Sequence, residues 1–410
     1  MMLKFDIFTT ILLLLAPATS ALLSVLLARR GRWSRLWRRP SDLGAVQASH
    51  TTEVPRLGGI AILLAFLAAV LATEMRNHEA VLLGSGLIVF LAGVREDLCG
   101  NISARGRLVA SLIAAAMAIL LSGTIITRLN VWPLDPILAA MPLAAVFLTI
   151  LLSAAYTHAF NLIDGVNGLS SLVGISTALG FAWAAALHGQ TTISLTALLL
   201  AVAILGFAAV NWPQGRLFLG DGGAYFIGHA LFWIAVILAA EAPLLNIPAI
   251  MLIMFWPIAE MTTTIARRAL LRIPLGRPDR LHIHHVILRG IEILTSGRKI
   301  RPLANALTTV VVMPAVVVPP ILGAMLTKDR DLALAAFAIC LVLYGASYML
   351  LLALVSRPKM RRILAVAEPS PVRARPGAAI SCDGHPNQSI TLTAKPSKPH
   401  RISGEPKFLN

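Results

Sequence analysis

The feature of this sequence that most restricts its fold is a succession of apolar runs, roughly 18–22 residues each, separated by short polar clusters. A helix of about 20 residues crosses a hydrocarbon core of about 30 Å, and inside such a core each backbone N–H and C=O must find its partner within the protein. A soluble helix carries one apolar stripe. The run 137–155 is instead apolar all round, apart from Thr149 and Ser153. Composition agrees, with 57% hydrophobic and 13% charged residues, where a soluble domain carries about 25% charged. The chain therefore reads as all-α, a polytopic integral membrane protein rather than a large soluble helical enzyme.

Eleven transmembrane helices are expected, at about 6–28, 57–74, 79–94, 108–127, 137–156, 169–187, 193–211, 223–240, 247–265, 305–326 and 332–355. No internal repeat is evident. Lys4, an apolar stretch and Ala18-Thr19-Ser20-Ala21 resemble a cleaved signal peptide. The stretch 7–27 is longer than a usual signal core and arginines follow it, so it is expected to remain as an anchor. Arg29, Arg30, Arg32, Arg35, Arg38 and Arg39 come directly after it, which makes that segment cytoplasmic by the positive-inside rule.

Alternation then places 29–56, 95–107, 157–168, 212–222 and 266–304 inside as the active-site loops, with the N-terminus outside and the C-terminus inside. The inside segments and the tail hold 30 of the 35 Lys and Arg residues. The net charge of +16 is explained by this asymmetry, so no nucleic-acid partner is expected. Residues 1–355 form the transmembrane catalytic domain. The segment 356–410 holds 8 of the 24 prolines and many Ser, Thr, Lys and Arg residues, and is expected to be a disordered basic cytoplasmic tail. The cysteines Cys99, Cys340 and Cys382 lack metal-ligand spacing.

Every carboxylate and histidine cluster falls in the segments placed inside. They are Glu96-Asp97, His158 to Gly168 with Asn161, Asp164 and Asn167, Gly220-Asp221-Gly222, and Arg280-Leu281-His282-Ile283-His284-His285. Ionisable groups at the ends of apolar spans are costly and usually functional. Several carboxylates meeting in one place repel unless a cation sits among them, and hard oxygen ligands favour Mg²⁺ or Mn²⁺. Arg and His donors can hold a diphosphate and offset charge on a leaving phosphate. An acidic metal site beside a basic phosphate clamp suits phosphoryl transfer. Each cluster alone has a plainer reading. Asp221 can be a turn, Asp164 and Asn167 a turn or helix cap, Glu96-Asp97 a solvated helix end, and the histidines a zinc site without a cysteine. All four on one face argue against these readings together.

At these residues the chain resembles the polyprenyl-phosphate N-acetylhexosamine-1-phosphate transferase family, which also contains the phospho-N-acetylmuramoyl-pentapeptide transferases. The resemblance covers roughly residues 50–305. It is carried by His50 with Pro55-Arg56-Leu57-Gly58-Gly59, Glu96-Asp97, Asn161-Leu162-Ile163-Asp164-Gly165, Phe218-Leu219-Gly220-Asp221 and His282-Ile283-His284-His285. The histidine run is similar to that of the branch transferring N-acetylhexosamine phosphates, and differs from the peptidoglycan branch.

The resemblance implies a Mg²⁺-dependent transfer of N-acetylhexosamine 1-phosphate from a UDP-sugar to undecaprenyl or another polyprenyl phosphate. UMP leaves, and a cell-surface polysaccharide such as an O-antigen is begun at the bacterial inner membrane. It implies that Asn161 and Asp221 hold the metal and that Asp97 lies nearest the lipid phosphate, with Glu96 beside it. Asp164 would support the metal or uridine region. His282, His284, His285 and Arg280 would bind phosphate, and Asn167 and Arg56 further parts of the substrates. A homodimer is compatible with it. The departures are Glu96 for the first paired aspartate, His158 for an asparagine, Asn167 for a second aspartate and Ala224 for a serine. Three other readings stand beside this one: the peptidoglycan precursor transferase, a transporter, and a non-catalytic membrane scaffold. A transporter predicts polar groups in mid-span or on both faces.

Overall fold

The computed structural model describes residues 7–31, 54–73, 77–274, 281–295 and 300–355. His50, Arg280 and the tail from residue 356 lie outside them. The described residues form fourteen α-helices and no strand. They are α1 (Ile7–Gly31), α2 (Gly58–Ala72), α3 (Asn77–Cys99), α4 (Ala104–Ser122), α5 (Leu134–Ala140), α6 (Pro142–Leu162), α7 (Leu169–Leu187), α8 (Thr191–Asn211), α9 (Gly220–Glu241), α10 (Ile247–Ile253), α11 (Phe255–Leu270), α12 (Ile283–Leu294), α13 (Arg301–Met325) and α14 (Arg330–Val355).

Eight of these helices are long and apolar enough to cross a membrane, and α10 with α11, bent by 86° at their junction, count as a ninth span when the pair is taken as one broken span. The fifteen apolar residues of α2 and the apolar middle of α3 fill the two remaining expected positions. Each of the eleven expected spans thus falls on a helix or helix pair, and the protein is a multi-pass membrane protein.

The expected boundaries need correction. Helical hydrogen bonding continues past the first charged residue, which is where the sequence reading stops a span. Glu96 and Asp97 therefore sit on the last turn of α3, His158 and Asn161 on the end of α6, and Asp221 on the first turn of α9. The span expected at 137–156 is split into α5 and α6, with Pro142 at the start of α6. The span expected at 247–265 is broken at Met254. Pro257 has no N–H for the carbonyl four residues earlier. The segment 266–304 contains the end of α11, the short helix α12 and the start of α13.

The centre of the bundle is α9, whose run 222–238 is buried almost throughout. Its neighbours approach it through small residues, as transmembrane helices do where packing replaces the hydrophobic effect. A Cβ on Gly93 of α3 would lie 2.4 Å from the Gly222 backbone, and one on Gly59 of α2 2.4 Å from Gly223. Polar side chains within the bundle pair with one another: Ser85 with His229 at 2.8 Å, and Trp233 Nε1–H with Ser153 Oγ at 3.1 Å.

Helices α3 and α9 run antiparallel. Asp97 meets the start of α9, while His78 pairs with Glu241 at its end. His78 and Asp97 are nineteen residues apart, about 28 Å along a helix, which matches the thickness of a hydrocarbon core.

The contact at Gly93 leaves no room for a methyl group, whereas a Cβ on Gly290 of α12 would meet nothing within 4 Å. Gly93→Ala is expected to cost about 1–3 kcal/mol by overpacking. Gly290→Ala should be neutral or stabilising by up to about 1 kcal/mol. Thermal unfolding of the detergent-solubilised variants checks this, and an unchanged midpoint for Gly93→Ala would refute the close approach.

Candidate active site

The site is assembled where the last turn of α3 meets the first turn of α9. Asp97 is buried, and its Oδ2 accepts the N–H of Gly222 at 3.0 Å. An N-terminal helical N–H has no partner inside its own helix and carries the positive end of the dipole, so a carboxylate is a favourable partner. Gly220, at φ +78°, lets the backbone enter α9 beside that carboxylate, and a Cβ there would lie 2.6 Å from Asp97 Oδ2. The other oxygen, Asp97 Oδ1, is buried without a hydrogen bond, with Arg56 Nη1 3.7 Å away.

Asp221 projects from the same turn of α9. Its Oδ1 accepts from Asn161 Nδ2 at 3.2 Å, and its Oδ2 from Arg107 Nη1 at 2.8 Å. Arg107 stands in the first turn of α4, which Ser103 caps by accepting the N–H of Gly106. Sequence reasoning missed Arg107 because it was absorbed into the positive-inside pattern, and nothing local separates it from Arg105. His158 lies alongside, 3.2 Å from Ser111 Oγ and edge-on to Tyr225 at 5.1 Å.

The turn 163–168 between α6 and α7 brings in Asp164, whose Oδ1 accepts from Ser170 Oγ at 2.7 Å. Burial pushes the Asp164 carboxyl up to about 6; the Ser170 hydrogen bond and the Arg56 charge pull it down, and the Asp221 charge adds to the rise. Gly165 presses against the histidine segment, where its Cβ would lie 2.4 Å from His284 Nε2 and 2.9 Å from His285 Cε1.

The histidines begin α12, with ring centroids 5.7 Å apart for His282 and His284 and 4.3 Å apart for His284 and His285. Burial, with the neighbouring charges of His285 and His282, pushes His284 well below the usual histidine range. His282 Nδ1 lies 2.9 Å from Glu260 Oε1. Glu260 was also missed, although a lone carboxylate in an apolar run is itself a signal.

Asp97, Asp221, Asn161, Arg56, Asp164, His284 and His285 are therefore linked by contact or by charge around one centre. Two expected residues also make structural hydrogen bonds, and the Glu96 charge still acts on Arg107. Glu96 Oε2 accepts the Ile102 N–H at 2.9 Å. Asn167 donates its backbone N–H to Asn305 Oδ1 at 2.7 Å and its amide Nδ2–H to the Pro213 carbonyl at 3.1 Å, and its own carbonyl accepts from Thr309 Oγ1 at 2.6 Å. These bonds tie the turn to α13 and to the segment before α9. Arg280 lies outside the described residues.

Among the described residues no three His, Cys, Asp or Glu side chains form a ready metal cage. The donor chemistry nevertheless fits a hard divalent cation: the unsatisfied Asp97 Oδ1, the Asp221 carboxylate and the Asn161 amide are oxygen ligands near one another. Arg56 and Arg107 supply positive charge beside these carboxylates, of the kind that can hold anionic oxygens.

The Glycosyl transferase family 4 model matches residues 79–239. That stretch contains Asp97, Arg107, Asn161, Asp164 and Asp221, while Glu260 and the histidines lie beyond it. A Bacillus subtilis protein named probable undecaprenyl-phosphate N-acetylglucosaminyl 1-phosphate transferase is 32% identical over 248 residues, 58% of this chain and 67% of its own length. The Mycobacterium tuberculosis decaprenyl-phosphate N-acetylglucosaminephosphotransferase is 26% identical over 291 residues, 61% of this chain and 70% of its own length. The Escherichia coli K12 undecaprenyl-phosphate alpha-N-acetylglucosaminyl 1-phosphate transferase is 26% identical over 258 residues, 59% of this chain and 67% of its own length.

The raised Asp164 carboxyl has a consequence for stability. Its folded value, about 6, lies above its ordinary 3.8, so the fold disfavours the ionised form. The cost is fully present above about pH 6, amounts to about 3 kcal/mol, and fades as pH falls toward 4. Asp164→Asn keeps an acceptor for Ser170 and removes that cost. It should raise the unfolding midpoint at about pH 7.5, with the gain vanishing near pH 4. A pH-independent difference between variant and wild type would contradict the assignment.

Proposed function

The chain belongs to glycosyl transferase family 4, and from that membership we propose that it transfers N-acetylhexosamine 1-phosphate from a UDP-sugar to a polyprenyl phosphate. UMP is released, and the product begins a cell-surface polysaccharide. The observation that carries this reading is the convergence of Arg56, Asp97, Arg107, Asn161, Asp164, Asp221 and His284, from segments far apart in the chain, at one end of the bundle. A transferase moving a sugar phosphate from a soluble nucleotide to a membrane lipid needs its polar centre at the membrane rim, with apolar walls beside it.

The reaction brings two phosphate anions together. A lipid-phosphate oxygen attacks the β-phosphorus of the UDP-sugar. The new O–P bond forms as the bond from that phosphorus to the bridging oxygen breaks, and UMP leaves with the electron pair. Asp97 faces the lipid phosphate, steering it or taking its proton. Arg107 and Arg56 hold phosphate oxygens and offset the charge of the leaving group. His284 and His285 border the turn that carries Asp164 and bind the sugar-phosphate side. Asn161 and Asp221, with Asp97 near by, would hold Mg²⁺, or Mn²⁺ in its place. Bound there, the cation would supply Lewis-acid chemistry, offsetting diphosphate charge at the phosphorus. The protein's own contribution is positioning and preorganised charge.

The 20-to-5 distribution of Lys and Arg outside the tail supports a site on the cytoplasmic side of a bacterial inner membrane. Purified protein supplied with undecaprenyl phosphate and UDP-N-acetylglucosamine should release UMP. Asp221→Ala, Asp97→Asn and Arg107→Ala should each lower turnover on the order of 100-fold or more while still inserting. Near wild-type turnover of Asp221→Ala would remove the metal assignment, and no transfer with any UDP-N-acetylhexosamine would remove the reaction.

A further inference from the structure

Glu260 lies in α11, just beyond the break in the ninth span, and is 2% exposed. A buried carboxylate is costly unless it is supplied with hydrogen-bond donors. Here three converge. The Ile283 N–H and His282 Nδ1 reach Oε1 at 3.3 and 2.9 Å, and the Tyr344 hydroxyl donates to Oε2 at 2.6 Å. His284 Nδ1 stands 4.0 Å from Oε2.

The phenol comes from α14, whose only buried residues are Ala333, Tyr344 and Tyr348. Tyr348 follows Tyr344 by one turn, so the two share a face, and its hydroxyl donates to the Leu281 carbonyl at 2.8 Å. A helix that otherwise faces outward thus places two hydroxyls on the start of the histidine segment. One holds the backbone just before His282, and the other holds the carboxylate that meets the His282 ring.

Both Glu260 oxygens already accept, Oε1 from the Ile283 N–H and Oε2 from the Tyr344 hydroxyl, and an accepting oxygen 2.9 Å from His282 Nδ1 calls for the proton on that nitrogen. That leaves Nε2 as the one nitrogen of the ring that can address a substrate. We propose that Glu260, braced by Tyr344, is a positioning residue: it fixes the Nδ1–H tautomer and the ring plane of His282, so that Nε2 is presented to the phosphate side of the site. Carboxylates behind functional imidazoles act in this way in general. The identity of what Nε2 addresses rests on the phosphotransfer reading. The tautomer does not.

The test uses the full chain, labelled with ¹⁵N at histidine and reconstituted in lipid, with the His282 signals identified by their loss in His282→Asn. Wild type should show a protonated Nδ1. In Glu260→Gln the Nδ1 signal should shift or split between two tautomers. Its kcat should fall on the order of 10–100-fold, with the KM for the sugar nucleotide changing less than about threefold. Tyr344→Phe, which removes one hydroxyl, should move both readouts part of the way. A Glu260→Gln protein with an unchanged His282 signal, or with kcat within about twofold of wild type, overturns the proposal. If Glu260→Gln does not insert, Tyr344→Phe decides by the same His282 signal, and an unchanged signal overturns it. The signal is read without substrate, so a wild-type protein lacking transferase activity would sink the reaction and leave the tautomer to be judged separately.

Discussion

The active end of the protein depends on one close approach, the last turn of α3 against the first turn of α9. Gly93 and Gly222 let the two backbones touch, and the N–H of Gly222 then falls within 3.0 Å of the Asp97 carboxylate. Asp221 leaves the same turn and meets Asn161 and Arg107. Packing and electrostatics are therefore not separable here. A side chain at either glycine would part the helices and also withdraw the donor that makes a buried Asp97 tolerable.

Charge balance at this junction is left incomplete in a useful way. Asp97, Asp164 and Asp221 are three carboxylates in a confined space, answered by Arg56 and Arg107. One Asp97 oxygen has no hydrogen bond, and both ring nitrogens of His284 are buried without one. Unsatisfied buried groups are uncommon in folded proteins and usually have a reason. Those of Asp97 and His284 border the region where two anionic substrates would meet, and ligands can satisfy them there. In the free state such groups carry a desolvation cost.

The other half of the site is held from a distance. The break at Met254 turns α11 away from the line of α10, which carries Glu260 beneath the histidines. Opposite it, α14 reaches in with Tyr344 and Tyr348. The turn 163–168 is tied by Asn167 to Asn305 and Thr309 of α13, and by Gly168 N–H to Asn211 of α8. Elements that contribute no side chain to the phosphate region thus set where that region is.

Much of this could be read without coordinates. Long apolar runs determine helices in any environment that denies the backbone water, so all eleven expected spans coincide with helices. Motif spacing singled out Asp97, Asn161, Asp164, Asp221 and the histidines, and the fold brings them to one end of the bundle. The spacing gave no sign of the hydrogen bonds by which Glu96 and Asn167 also hold the backbone at Ile102 and Pro213. Helix ends were misplaced because a charge marks the edge of an apolar run and not the end of a hydrogen-bonded ladder. The short α12 was hidden by Arg289 and its histidines. The pairings of Arg107 with Asp221, 114 residues apart, and of Tyr344 with Glu260, 84 apart, have no local signature at all. Composition and order along the chain decide what must leave water and which chemistries are present. Only the packing of one helix on another decides which charges face each other, because that depends on distances of a few ångströms between residues far apart in the chain.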